Sequence, residues 1–163
     1  MKGNAMRILV ISDSHGRTNR IEEALSAHPE ATHVFFLGDN ERDVEDLPFI
    51  YPDKIFHIIS GNCDFASMLK SSDSVTVNGV KIFYTHGHTL SVKSGSGNLL
   101  KKARNEGYEL VLYGHTHVAN CEYCDGIHVV NPGSIGQPRD ASSPSYAIID
   151  LEPSGIMPII VRM

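Results

Sequence analysis

A chain of 163 residues, 41% hydrophobic and 20% charged, carries enough apolar material for one core and has the length of a single domain. Its formal charge of −5 argues against a protein whose main business is electrostatic binding of nucleic acid, so no stable nucleic-acid complex is expected. The longest apolar runs, ILVI at 8–11 and VFFL at 34–37, are too short to cross a bilayer or to form a signal-peptide core, and three cysteines without an export signal read as reduced thiols, so a cytoplasmic protein without membrane partners is expected.

Residues 1–5, MKGNA, precede a second methionine and carry no pattern; they read as a leader or alternative start, with the domain taken as 6–163. RILVIS is a continuous apolar run followed by a polar turn and NRIEEALSAH, in which Ile21, Ala24, Leu25 and His28 fall at helical spacing, with Thr18 or Asn19 as cap. ATHVFFLGD gives a second strand ending in Gly38-Asp39, and DKIFHIISGNCD a third ending in Gly61-Asn62. Strands alternating with helical segments favour parallel pairing through right-handed crossovers. DSVTVNGVKIFYTHG then introduces antiparallel structure, two alternating segments joined by Asn78-Gly79. NLLKKARNEG places Leu99, Leu100 and Ala103 on one side with Gly107 as a stop, and the strand YELVLYG follows. A hairpin over 118–131 turns at Asp125-Gly126; strand alternation sends Cys121 and Cys124 to opposite faces, so their C-x-x-C reads as structural. Two final strands, SYAIIDL and IMPIIVR, flank the turn at 153–155. The strand count predicts a sandwich of sheets with helices outside.

The chemistry falls where these strands stop. Asp13 and His15 follow the first, Asp39 the second, Asn62 the third, His86 follows KIFYT, and His115 with His117 follows ELVLY. The carboxyl ends of strands form the usual ligand edge of an α/β sheet, so residues a hundred positions apart can converge there. Singly, Asp13 and Asp39 suit helix caps or turns, Asn62 suits a turn, and His86 suits a satisfied core position. Jointly these explanations fail, because turn formation accounts for none of the histidines. Imidazole and carboxylate without thiolate suit borderline divalent ions such as Mn, Zn, Fe, Ni or Co, and a shared Asp39 suggests two of them. Such ions, roughly 3.5 to 4 Å apart, activate a bridging water and neutralise phosphoryl oxygens, which implies phosphoester hydrolysis by a metal-bridging hydroxide.

The series D-S-H at 13–15, G-D at 38–39, G-N-C-D at 61–64, H-G-H at 86–88 and G-H-T-H at 114–117 resembles the motifs of the calcineurin-like metallophosphoesterases. The short chain, the Cys in GNCD and NPGSIGQPR at 131–139 make it similar to the small YfcE-like phosphodiesterase branch. The resemblance implies a four-layer α/β/β/α sandwich of two mixed sheets flanked by helices. It also implies one metal held by Asp13, His15, Asp39 and His117 and a second held by Asp39, Asn62, His86 and His115, with Mn first among the candidates. His88 reads as supporting a ligand or facing phosphate. Larger members carry a His where this chain has Cys63, proposed there to protonate the leaving group; here assistance is weak or comes from Asp64, water or the substrate, and aryl esters are the better substrates.

Arg17 and Arg139 are candidates for contacting the substrate phosphate, while Lys93, Lys101, Lys102 and Arg104 read as a solvated helix face, the alternative being a patch for a polyanion. HGHTL lacks the Asp of the metallo-β-lactamase series, and SGSGNL is too thin for a dinucleotide fingerprint. The rival from another class is a non-catalytic metal-binding scaffold of the same fold, as the retromer subunit is thought to be; the complete ligand set favours the enzyme. A small phosphodiester is the expected partner, and the sequence also admits a homo-oligomer.

Overall fold

A computed structural model describes residues 4–140 and 143–163. Residues 1–3 of the expected leader therefore lie outside the described residues. Strand β1 (Met6–Ile11) enters the core with its last four residues buried. Helix α1 (Thr18–Ala27) returns the chain to β2 (His33–Phe36), and the short helix α2 (Leu47–Ile50), which sequence periodicity did not reveal, precedes β3 (Ile55–Ile58). The hairpin β4 (Ser72–Val77) and β5 (Val80–Thr85) follows, then α3 (Gly97–Glu106) and β6 (Leu110–Tyr113). Two further hairpins close the chain: β7 (Ala119–Cys124) with β8 (Ile127–Pro132), and β9 (Ser145–Glu152) with β10 (Gly155–Arg162).

The strands form two mixed five-stranded sheets, ordered β10-β9-β1-β2-β3 and β4-β5-β6-β8-β7. In the first, β1, β2 and β3 are parallel and β9 runs against β1; in the second, β5, β6 and β8 are parallel and the outer strands antiparallel. Alternation along each strand decides which core a side chain joins. Ile8, Val10, Phe35 and Ile149 face Ile82, Leu110, Leu112 and Val130 between the sheets. Leu9, Ile11, Val34 and Phe36 point the other way, onto Ile21, Ala24 and Leu25 of α1. Phe83, Val111 and Val129 cover Leu99, Leu100 and Ala103 of α3. The result is the four-layer α/β/β/α sandwich.

One local expectation is corrected. Neither Thr18 nor Asn19 caps α1: Thr18 is already helical, and Arg17 occupies the N-cap with no side-chain cap bond. The chain reaches the helix directly from the loop holding Asp13 and His15, where the Arg17 amide is spent on Ser14 O, 3.0 Å away. At the other helix the expected stop holds, with Gly107 left-handed at φ 77 and its amide bonded to Ala103 O. Both on β7, Cys121 is exposed and Cys124 half-buried, and neither is in a disulfide.

Candidate metal centre

Because β1, β2 and β3 are parallel, their carboxyl ends open on one edge, and β5 and β6 of the second sheet end beside them. The loops leaving these ends bend at once. Asp13, His15, Asp39, His115 and His117 all adopt positive φ, between 45° and 70°, a region costly for residues with a Cβ. Glycines allow the loops to touch: a Cβ on Gly61 would fall on Asp39 Oδ1 and within 2.6 Å of the Asp39 amide.

The ligating atoms of Asp13, His15, Asp39 and His117 lie within 4.8 Å of one another, and so do those of Asp39, His86 and His115. Asp39 belongs to both groups. Its Oδ1 accepts from the Cys63 amide at 2.8 Å, which leaves Oδ2 aimed between His86 Nε2 at 3.5 Å and His15 Nε2 at 3.8 Å. Asn62 Oδ1 lies 2.9 Å from His86 Nε2, at the edge of the second group.

Two imidazoles have fixed tautomers. His86 Nδ1 donates to Leu37 O and His117 Nδ1 to Gln137 O, both at 2.6 Å, so each presents an Nε2 lone pair to the centre. His117 Nε2 then faces Asp13 Oδ1 at 3.2 Å, a carboxylate oxygen that is buried and accepts no hydrogen bond. Two acceptors in that position require a proton or a cation to bind them. His15 Nε2 stands 3.3 Å from His117 Nε2, and His115 Nδ1 stands 3.2 Å from His86 Nε2. The donor set and the buried Asp13 oxygen fit divalent cations.

Electrostatics point the same way. Burial opposes ionisation of Asp13, yet His117, His86 and the Ser12 hydroxyl outweigh it and hold the carboxyl below its usual range. Burial likewise opposes protonation of His117, but Asp13 raises it above the ordinary imidazole value. Burial and the neighbouring His86 push His115 down to about 4, and burial lowers His88. His115 is thus an unprotonated donor at neutral pH.

The remaining predicted residues divide. His88 packs beside His86 and His115, ring centroids 5.4 and 6.1 Å away, with a buried Nδ1 that has no hydrogen bond. Arg139 lines the cleft of about 260 Å³ over the centre, together with Cys63 and Gln137. Arg17 is exposed and does not line it. Lys93, grouped by sequence with a solvated helix face, lies instead on the short 3₁₀ turn Val92–Ser94 and lines the cleft. Lys101 and Lys102 stay on α3 outside.

Asp64 sits differently from a proton donor. Its carboxylate accepts four backbone N–H groups, from Asp39, Asn40, Glu41 and Gly61, at 2.7 to 3.0 Å. The reading of Asp64 as a source of leaving-group assistance gives way to that of a clamp joining the β2 and β3 loops. Sequence reasoning also missed three braces. Asp43 accepts from Ser14 Oγ and Gly16 N, Ser134 Oγ donates to Asp13 O at 2.7 Å, and Asn131 Nδ2 donates to Gly114 O. Asn131 and Ser134 belong to the NPGS segment, which thus supports the site from behind. A larger hollow of about 550 Å³ elsewhere includes Arg7, but Asp150 and Glu30 already pair that guanidinium at 2.7 Å.

Residues 6–154 match the model of the calcineurin-like phosphoesterase superfamily domain. A protein named "Probable metallophosphoesterase YsnB" from Bacillus subtilis (strain 168) is 35% identical over 148 residues, covering 90% of this chain and 85% of the relative. The Phosphodiesterase YfcE of Escherichia coli (strain K12) is 28% identical over 168 residues, with 89% and 88% covered. Among solved structures, a conserved protein from Streptococcus pneumoniae TIGR4 described as a predicted phosphoesterase superposes with a TM-score of 0.84 at 28% identity, covering 98% of this chain and 91% of the other.

Proposed function

The chain belongs to the calcineurin-like phosphoesterase superfamily, and from that premise we propose that it is a two-metal phosphoesterase acting on phosphodiesters. One observation carries the reading: two groups of His and Asp donors share Asp39, and a buried Asp13 oxygen stands against the His117 lone pair. Asp13, His15, Asp39 and His117 would hold one ion, and Asp39, Asn62, His86 and His115 the other. Manganese is the first candidate, with zinc, iron, nickel or cobalt compatible with the same donors. Bound there, two divalent ions supply an activated water for attack on phosphorus and neutralise the phosphoryl oxygens.

The chain's own residues do the orienting. The backbone acceptors behind His86 and His117 fix both Nε2 atoms inward, and Cys63 N holds the Asp39 carboxylate so that Oδ2 faces both groups. Asn62 and His88 stand where they can meet a phosphoryl oxygen beside His86. The Cys63 thiol is pushed up by burial and by the nearby Asp39 and Asp64 carboxylates, which makes it a weak acid. Aryl esters, whose leaving group needs no proton, are therefore the better substrates. Three free cysteines fit a reducing, cytoplasmic setting.

The test is hydrolysis of bis(p-nitrophenyl) phosphate by chelator-stripped protein titrated with Mn, Ni, Co, Zn and Mg, beside Asp39→Asn. Turnover restored by metal and reduced at least about a hundredfold in the variant is expected. Stoichiometric metal binding without turnover would favour the non-catalytic scaffold.

A further inference from the structure

The cations of this chain are mostly spoken for. Arg7, Lys70, Lys102, Arg104 and Arg162 pair with carboxylates, and Arg20, Lys54 and Lys81 donate to backbone carbonyls. Among the described residues only the side chains of Arg17, Arg42, Lys93, Lys101 and Arg139 make neither hydrogen bond nor ion pair. Two of these, Lys93 and Arg139, line the cleft over the metal centre. In a chain with five more acidic than basic side chains, leaving two cations at one cleft without a carboxylate is not general solvation.

Their placement is also divided. Lys93 lies on the 3₁₀ turn that follows the His86–His88 loop, and Arg139 donates its amide to His117 O, 2.9 Å away. One cation thus stands beside each ligand group. With two divalent ions bound, the charge of the centre would be balanced without them: the Asp13 and Asp39 carboxylates, the single charge of a phosphodiester and the proton lost from the attacking water would offset the four positive charges. Nothing in a singly charged diester calls for two more positive groups.

We infer that Lys93 and Arg139 form a two-point anion clamp, and that the preferred substrate carries a second anionic group, a phosphate or carboxylate, beyond the scissile phosphodiester. This rests on the phosphodiesterase reading and narrows its substrate class. Lys93 supplies a mobile point charge and Arg139 a planar fork suited to two oxygens. Both are exposed, so the discrimination is salt-dependent.

The experiment uses metal-loaded full-length protein and two diesters with the same leaving group. One is p-nitrophenyl ethyl phosphate; the other carries a terminal phosphate on its ethyl group. The expected kcat/KM ratio favours the second by about tenfold at low salt, from two charge-assisted contacts discounted for exposure. Lys93→Met and Arg139→Met should each lower that ratio severalfold, whereas Lys101→Met on the outer face of α3 should keep it. Equal use of both esters by the unaltered protein, or a ratio indifferent to the two cleft variants, would overturn the clamp. Calorimetric binding of the products, ethyl phosphate and ethylene bisphosphate, separates the clamp from the chemistry. Tighter bisphosphate binding that is lost in both variants, with neither ester hydrolysed, sinks the phosphodiesterase reading and keeps the clamp; equal product affinities sink the clamp.

Discussion

Five of the seven candidate ligands sit in left-handed backbone, and none of them is glycine. Each such residue costs on the order of 1 kcal/mol, which the surrounding hydrogen bonds must offset. Asp64 is the main such support, since four amides of the two neighbouring loops converge on one carboxylate. Asp64→Asn replaces an acceptor oxygen by an amide donor facing those N–H groups, and should cost about 2–4 kcal/mol in urea unfolding. Turnover of aryl and alkyl phosphodiesters should fall together; a selective loss of alkyl ester hydrolysis would restore Asp64 as a proton source. The ligands were legible in the sequence because His and Asp stand out at strand ends, where polar residues need a reason. Asp64 was not, because its acceptor role is written in backbone geometry. Lys93 was misread because its spacing from Lys101 and Arg104 suggested one helix, whereas the chain there makes 3₁₀ turns before α3 begins at Gly97.

At the scale of elements, the site depends on loops that pass within van der Waals contact. Gly61 shows this most directly, because its missing side chain is the space taken by the Asp39 carboxylate. Gly61→Ala should displace that carboxylate and weaken calorimetric manganese binding by about ten- to a hundredfold, while leaving the two strands on either side intact. Unchanged affinity would mean that the loop yields freely. The long periodic elements, α1, α3 and the hairpins turning at Asn78-Gly79 and Asp125-Gly126, were readable from spacing and turn residues. Helix α2 was not, since Leu47–Ile50 is one turn long and buries only Leu47. The missing cap on α1 has a local origin: the loop that carries Asp13 and His15 runs straight into the helix, so Arg17 takes the N-cap position and Thr18 is already helical.

Across the whole molecule the apolar layers are well matched, and one polar group is set against them at a sheet edge. His57 packs on Phe35 at 4.4 Å and meets His33 Nδ1 at 2.9 Å, and burial with help from His33 pushes its imidazole down to about 4. Asp73, which opposes that shift, is a minor influence. The unfolded chain takes up this proton near the ordinary value of 6.5, so the stabilisation is complete above that pH and is lost as pH falls towards 4. Discounted for partial exposure, the loss is at most about 2 kcal/mol. His57→Gln should flatten the acid side of the stability curve by that amount; an unaltered slope in urea titrations between these pH values would assign the acid sensitivity elsewhere.

The distribution of donors between the layers has a mechanical side. Asp13, His15, Asp39 and Asn62 leave the first sheet, and His86, His115 and His117 leave the second, all at one end of the sandwich. Cations held there would act as rivets between two plates. At the opposite end the plates are joined by side-chain bonds from Asn78, at the tip of the β4–β5 hairpin, to Leu151 O and Asn4 O. A sandwich riveted along one edge yields as a book does, hinged on the metal side, so the Asn78 end, tied by hydrogen bonds alone, is where the two sheets would first part under load.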